Sequence, residues 1–204
     1  MRTWTRVVPA AMGALALAWA LTGCNDPGSE KSRGNSSPSS PDSDSAASNE
    51  KKTFRLGETG PEQESHMQKS ADAKYTVTPT KVQTGTKADM DNSGLEKDKE
   101  SGPQVPVYVW STLTHKSGTA MEVGDMDDDL VVKTDKGQRT RALLVLMGGA
   151  TWPNCPEPET DKKLSAGQSE KICTAFLIPE GQKAVAVELT QGYYKEPLEW
   201  PVDN

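Results

Sequence analysis

The sequence predicts an all-β domain, a sandwich or a closed barrel. Between Thr53 and Val202 it has seven short runs rich in apolar and β-branched residues, and turns containing Gly or Pro separate them. No stretch repeats its apolar residues at a clear helical spacing. Many short strands with such turns are the pattern of two sheets packed face to face or of one sheet closed on itself.

Tyr75 and Val77 alternate with Thr76 and Thr78, the period of a half-buried strand. Pro79 removes a ladder donor there, so this strand is expected to lie at an edge or to bend. Val105–His115 is the strongest run: Val107, Val109 and Leu113 take one face, Tyr108, Trp110 and Thr112 the other. Both faces are partly apolar, which predicts a central strand. Leu130–Thr134 and Thr140–Met147 flank Asp135-Lys136-Gly137-Gln138, whose glycine suits a tight hairpin turn. Leu143–Met147 is apolar without alternation, as in a strand covered on both faces, and the Gly148-Gly149 stop favours strand over a buried helical turn. Lys171–Ile178 places Ile172, Thr174, Phe176 and Ile178 on one face and stops at Pro179 and the Glu180-Gly181 turn. Val185, Val187 and Leu189 repeat the alternation, as do Leu198, Trp200 and Val202.

Two stretches have no strand pattern. Gly85–Gln104 is polar and charged and is expected to be disordered; Gly148–Gly167 carries Trp152, Cys155 and three prolines, and its cysteine should hold it. Ahead of the domain, Asn25–Glu50 has nine serines, three prolines and no apolar residue larger than alanine. It has too little to bury to offset chain entropy, and it reads as a disordered tether with a typical span of about 25–30 Å.

The first residues are a secretory signal: Arg2 and Arg6, then an uncharged apolar run from Val7 to Leu21, then small residues. That run of 15 residues, interrupted by Pro9 and Gly13, falls short of the roughly 20 that cross a bilayer core. Leu21-Thr22-Gly23-Cys24 resembles the lipobox of bacterial lipoprotein signals. The resemblance implies cleavage before Cys24, acylation of its sulfur, and an anchor on the outer face of the cell membrane. The expected organisation is a signal peptide over 1–23, a lipidated Cys24 and tether over 24–52, and a β domain over 53–204. With Cys24 committed to lipid, Cys155 and Cys173 are an even pair in an oxidising compartment, where a disulfide is the default. A two-thiolate metal site or a redox pair usually has the closer Cys-x-x-Cys spacing, which is absent.

Within the domain, Val105-Pro106-Val107-Tyr108-Val109-Trp110 and the step from Leu164-Ser165-Ala166-Gly167-Gln168 into Cys173-Thr174-Ala175-Phe176-Leu177-Ile178-Pro179-Glu180-Gly181 also carry a resemblance. With the lipobox and tether, the chain resembles a family of unknown function among Gram-positive and actinobacterial lipoproteins, with an immunoprotective-extracellular-antigen-like domain. The resemblance covers roughly Phe54 to Val202 and implies an immunoglobulin-like β-sandwich. The Asn-rich turn usual after that family's second strand is replaced here by Thr114-His115-Lys116-Ser117-Gly118. The family supplies no catalytic residue to carry over.

The formal net charge is −6; losing Arg2 and Arg6 with the signal leaves 21 basic against 29 acidic residues, or −8. Such a surface repels phosphate backbones, so nucleic acid is not an expected partner. The expected partners are the membrane, through the lipid, and an envelope protein or solute.

Only His66 and His115 are available for base catalysis, and neither Gly-x-Ser-x-Gly nor His-Glu-x-x-His occurs. His115 reads as a solvated turn residue. Asp125, Asp127, Asp128 and Asp129 invite a calcium reading, but Leu130 stands where an EF-hand needs Gly and Lys136 where it needs Glu. Asp125, Asp127 and Asp129 remain a weak metal candidate against a solvated acidic turn. His115, Met121 and Met126 have the chemistry of soft copper ligands, with nothing to fix their geometry. Trp110 and Trp200 are expected in the core. Trp152, in its Gly/Pro loop, is either packed over the disulfide or a weak candidate for a recognition anchor. No catalytic residue and no cofactor is expected. The function expected is a non-enzymatic, surface-displayed binding or structural module, with a metal- or small-solute-binding lipoprotein as the alternative and a hydrolase third.

Overall fold

A computed structural model describes residues 51–95, 102–143 and 149–203, all within one compact unit, Ala47–Asn204. The expected signal peptide, Cys24, the expected tether and residues 144–147 of the fourth apolar run, Thr140–Met147, lie outside the described residues. The strands, in chain order, are β1 (Gln63–Glu64), β2 (Lys74–Thr84), β3 (Gln104–Ser117), β4 (Met121–Glu122), β5 (Leu130–Thr134), β6 (Arg139–Arg141), β7 (Lys163–Leu164), β8 (Ser169–Pro179), β9 (Ala184–Leu189) and β10 (Leu198–Pro201). One antiparallel sheet has the order β1-β2-β3-β8, a second has β10-β9-β5-β6, and β4 and β7 form a separate pair. A single buried cluster draws Val77, Val107 and Phe176 from the first sheet and Val132, Val187 and Trp200 from the second. The fold is an all-β sandwich of two antiparallel sheets.

β3 is central as its two apolar faces predict. Val107, Val109 and Leu113 are buried between the sheets, while Tyr108 faces outward into a second cluster with Met90, Trp152, Cys155 and Cys173. β2 runs six residues past Thr78, with a register shift between Pro79 and Lys81 that accommodates the proline. Beyond its two-residue pairing with β1, the far side of β2 is an edge. The β5–β6 hairpin closes as expected: Gly137 has φ +77°, its N–H donates to Thr134 O, and Thr134 N–H donates to Gln138 O. After β6 the chain leaves its sheet, for Ala142 bridges Phe176 and Leu143 N–H donates to Ala175 O of β8.

Two expectations are corrected here. Gly85–Gln104 is not uniformly disordered: Lys87–Asn92 is a helix, α1, started by a reciprocal capping box between Thr86 and Asp89. Met90 is the side chain it buries, in the cluster around Tyr108. His115 is not a solvated turn residue but fully buried. It shares the inward parity of Leu113, and its Nε2–H donates to the carbonyl of Thr119 at 2.9 Å where the turn folds back. That turn needs Gly118: φ is +86°, and a Cβ would lie 2.4 Å from the carbonyl oxygen of Asp72.

On the outer face of the second sheet, charges alternate across strands. The buried Glu188 of β9 accepts from Arg139 Nη2 at 3.1 Å and sits 3.3 Å from Lys133 Nζ, which also donates to Glu199 at 2.8 Å. Burial pushes the Glu188 carboxyl up, but the bonds from Arg139 and Lys133 outweigh it and hold it below the usual carboxylate range. Stripping a buried ion of its partner costs roughly 3–5 kcal/mol. Arg139 is half exposed and Lys133 remains, so Arg139→Ala is expected to cost less, about 2 kcal/mol. It should lower the urea midpoint with an unchanged m-value. Because the folded carboxyl is depressed, the loss should fade as pH falls below the ordinary glutamate range; a pH-independent loss would remove Glu188 as its cause.

Candidate functional site

A cleft of about 350 Å³ opens where residues from four segments meet at the edge of β8. Its floor is Cys173, Thr174 and Ala175; Ala142 and Leu143 form one wall, and the loop carrying Trp152, Cys155 and Glu157 forms another. The third wall is the short helix α2 (Gly124–Asp127) with Asp128. An apolar concavity with a few polar groups converging on it is the general form of a small-molecule site.

The disulfide builds this place. Cys155 and Cys173 are bonded, with their Cα atoms 5.2 Å apart. Ile172, Phe176 and Ile178 face the inter-sheet core, so Cys173 points outward, where the loop reaches it. Trp152 is 8% exposed, and its ring meets Tyr108 edge-on at 5.9 Å between centroids. Its placement is that of packing over the bridge, with its remaining exposed part on the wall of the cleft; as an anchor displayed on the outer surface it is corrected, because the residue is buried. Trp200 is fully buried and stacked on Phe54, whereas Trp110 is half-buried beneath Lys81, whose Nζ is 4.2 Å from the ring.

The acidic turn does not gather its carboxylates. Asp125 is 3.3 Å from Lys69 Nζ, Asp129 accepts from the Thr190 hydroxyl at 3.2 Å and lies 3.5 Å from His66, and Asp127 turns into the cleft. Among the described residues no three His, Cys, Asp or Glu side chains come together as ion ligands. Asp125, Asp127 and Asp129 therefore do not form a metal site in this arrangement. The solvated-turn alternative is corrected as well, since Asp127 is buried. The Thr174 hydroxyl donates to its Oδ2 at 2.8 Å, yet burial dominates and pushes the carboxyl up to about 6. Burial, with the charges of Asp129, Asp127 and Asp128, also raises the Tyr75 hydroxyl well above its ordinary value.

The two histidines lie elsewhere, His66 at the surface beside Asp129 and His115 inside the sandwich. Neither lines the cleft. Among the described residues no helix is long and apolar enough to cross a membrane.

No family model matches the sequence, and no curated protein matches it. A solved structure described as the secreted protein MPT63 of Mycobacterium tuberculosis is similar over 76% of this chain and 100% of that one, at 13% identity and a TM-score of 0.48.

Proposed function

We propose that the chain is a lipid-anchored, non-enzymatic module of the bacterial cell surface, whose β-sandwich binds another component of the envelope. The observation that carries this is the Cys155–Cys173 bond. A disulfide inside the domain fits an oxidising compartment, and it leaves Cys24 as the one remaining cysteine, directly after Leu21-Thr22-Gly23. The placement of the two histidines favours binding over catalysis, because neither stands at the cleft with a nucleophile to activate. The cleft itself favours a second reading, in which the bound component is a small solute rather than a protein.

The anchor is tested by intact-mass measurement of protein taken from its own host. The wild-type chain is expected to begin at Cys24, to carry added acyl mass and to sediment with membranes. Cys24→Ser should leave the precursor uncut or release it. Membrane retention of that variant at unchanged mass would overturn the anchor.

A further inference from the structure

We propose that the cleft between α2, β8 and the Trp152 loop binds a small organic cation, an amine or guanidine carried on an apolar body. The charged side chains lining it among the described residues are Asp127, Asp128 and Glu157; no Lys, Arg or His joins them. Of the carboxylates elsewhere on the domain, those that are buried or partly buried beside a strand are neutralised locally: Glu188 by Arg139, Glu199 by Lys133, Glu170 by Lys162, Glu122 by Lys69. Among the described residues the three at the cleft have no such ion-pair partner. Asp127 is the most telling, since a carboxylate that deep is ordinarily paired. The side chain that donates to it among the described residues is the neutral Thr174 hydroxyl, not a cation. A cation entering the cleft would meet a negative field inside low-dielectric walls, where attraction between charges is strongest.

The walls determine the rest of the ligand. Ala142, Leu143, Ala150, Trp152 and the disulfide offer apolar surface and an aromatic ring, so the body attached to the cation should be hydrocarbon or aromatic. A volume near 350 Å³ is at the lower end of the range for small-molecule sites, which excludes a folded protein segment of any length. A bare metal ion is also a poor occupant, because the carboxylates are not drawn around one point. This inference rests on reading the chain as a binding module, but not on the anchor, so failure of the Cys24 test leaves it standing.

The test uses three probes with one body and different heads: 4-phenylbutylamine, 4-phenylbutanol and 4-phenylbutyrate. Each is titrated at pH 7.5 into isotope-labelled mature chain, following the amide of Thr174 and the indole N–H of Trp152 by NMR. The amine is expected to shift both signals and to bind at least about tenfold tighter than the alcohol, with no shift from the carboxylate. Asp127→Asn should remove most of that advantage, and Glu157→Gln, which alters only the rim, should remove part of it. Signal dispersion reports whether each variant is folded, and the rim variant retains the test if Asp127→Asn is not. Equal binding of amine and alcohol would overturn the cation inference while supporting a solute-binding module. No shift by any probe at millimolar concentration would overturn the inference and leave a protein partner as the surviving form of the proposed function. Amine binding unaffected by either substitution would also overturn it.

Discussion

Asp127→Asn is expected to stabilise the domain at pH 7 while changing little at pH 4. In the folded chain burial raises this carboxyl to about 6, against an ordinary value of 3.8. A raised folded pKa means the folded state holds the proton more tightly than the unfolded state. The stability linked to that proton is fully present below the ordinary value and is lost as pH rises through about 6. A shift of this size corresponds to roughly 3 kcal/mol at neutral pH. For a domain of this length that is roughly 6–12 °C in Tm. Asparagine has nearly the same shape, offers an oxygen to the Thr174 hydroxyl, and has no charge to bury. Melting curves at pH 4, 5, 6 and 7 should show the two proteins diverging as pH rises. Glu188 contributes an opposite dependence, but it is common to both and cancels in the difference. Curves that stay parallel at every pH would show that Asp127 does not ionise at a cost. A residue that weakens its own fold at neutral pH and stands at a cleft is a reasonable mark of selection for something other than stability.

Reduction of the Cys155–Cys173 bond is expected to destabilise the domain by about the same amount, in the opposite direction. The bond joins residues 18 apart in sequence, and closing a loop of that size restricts the unfolded chain by about 3 kcal/mol in the entropy treatment. In the folded state the effect should be local. Residues 149–162 have no strand of their own, and Trp152 is held in place by the cluster around the bridge. Proteases should therefore cut between Gly149 and Gly167 in the reduced protein, while amides of β3, β8 and β9 stay protected from exchange. Two free thiols in protein from the host, or an unchanged cleavage map after reduction, would contradict this account.

What could be read from the sequence follows from how local each cause is. β3 was legible because Val107 and Val109 on one face and Tyr108 and Trp110 on the other each meet a layer. The β5–β6 turn was legible because Gly137 alone supplies its positive φ. The outward direction of Cys173 followed from the parity of Phe176. The helix α1 was hidden by its brevity, although Thr86 and Asp89, three apart, were a readable start signal. The burial of His115 was signalled by its parity with Leu113, yet its polar side chain argued for the surface.

The cleft could not be read from any single stretch. Asp127 is buried by a contact with Thr174, 47 residues away, and Glu188 is neutralised by Arg139, 49 residues away. Periodicity reports what one element does with its own two faces. It is silent about which acidic residue a distant strand will cover.

The way the chain joins the sandwich has a mechanical consequence. Glu199 N–H donates to Lys52 O and Phe54 N–H to Glu199 O, so the incoming segment runs parallel beside β10 of the second sheet. A few residues on, Gly57 and Gly60 N–H donate to Pro79 O and Val77 O of β2, in the first sheet. Between them Phe54 stacks on Trp200 at 5.3 Å, and the Trp200 indole N–H donates to Glu58 O. A pull on Lys51 thus loads both sheets at once, through several bonds and a buried ring pair. Force applied at Lys51 would be shared across the sandwich before it could peel any one strand away, which is the load the proposed N-terminal anchor would impose.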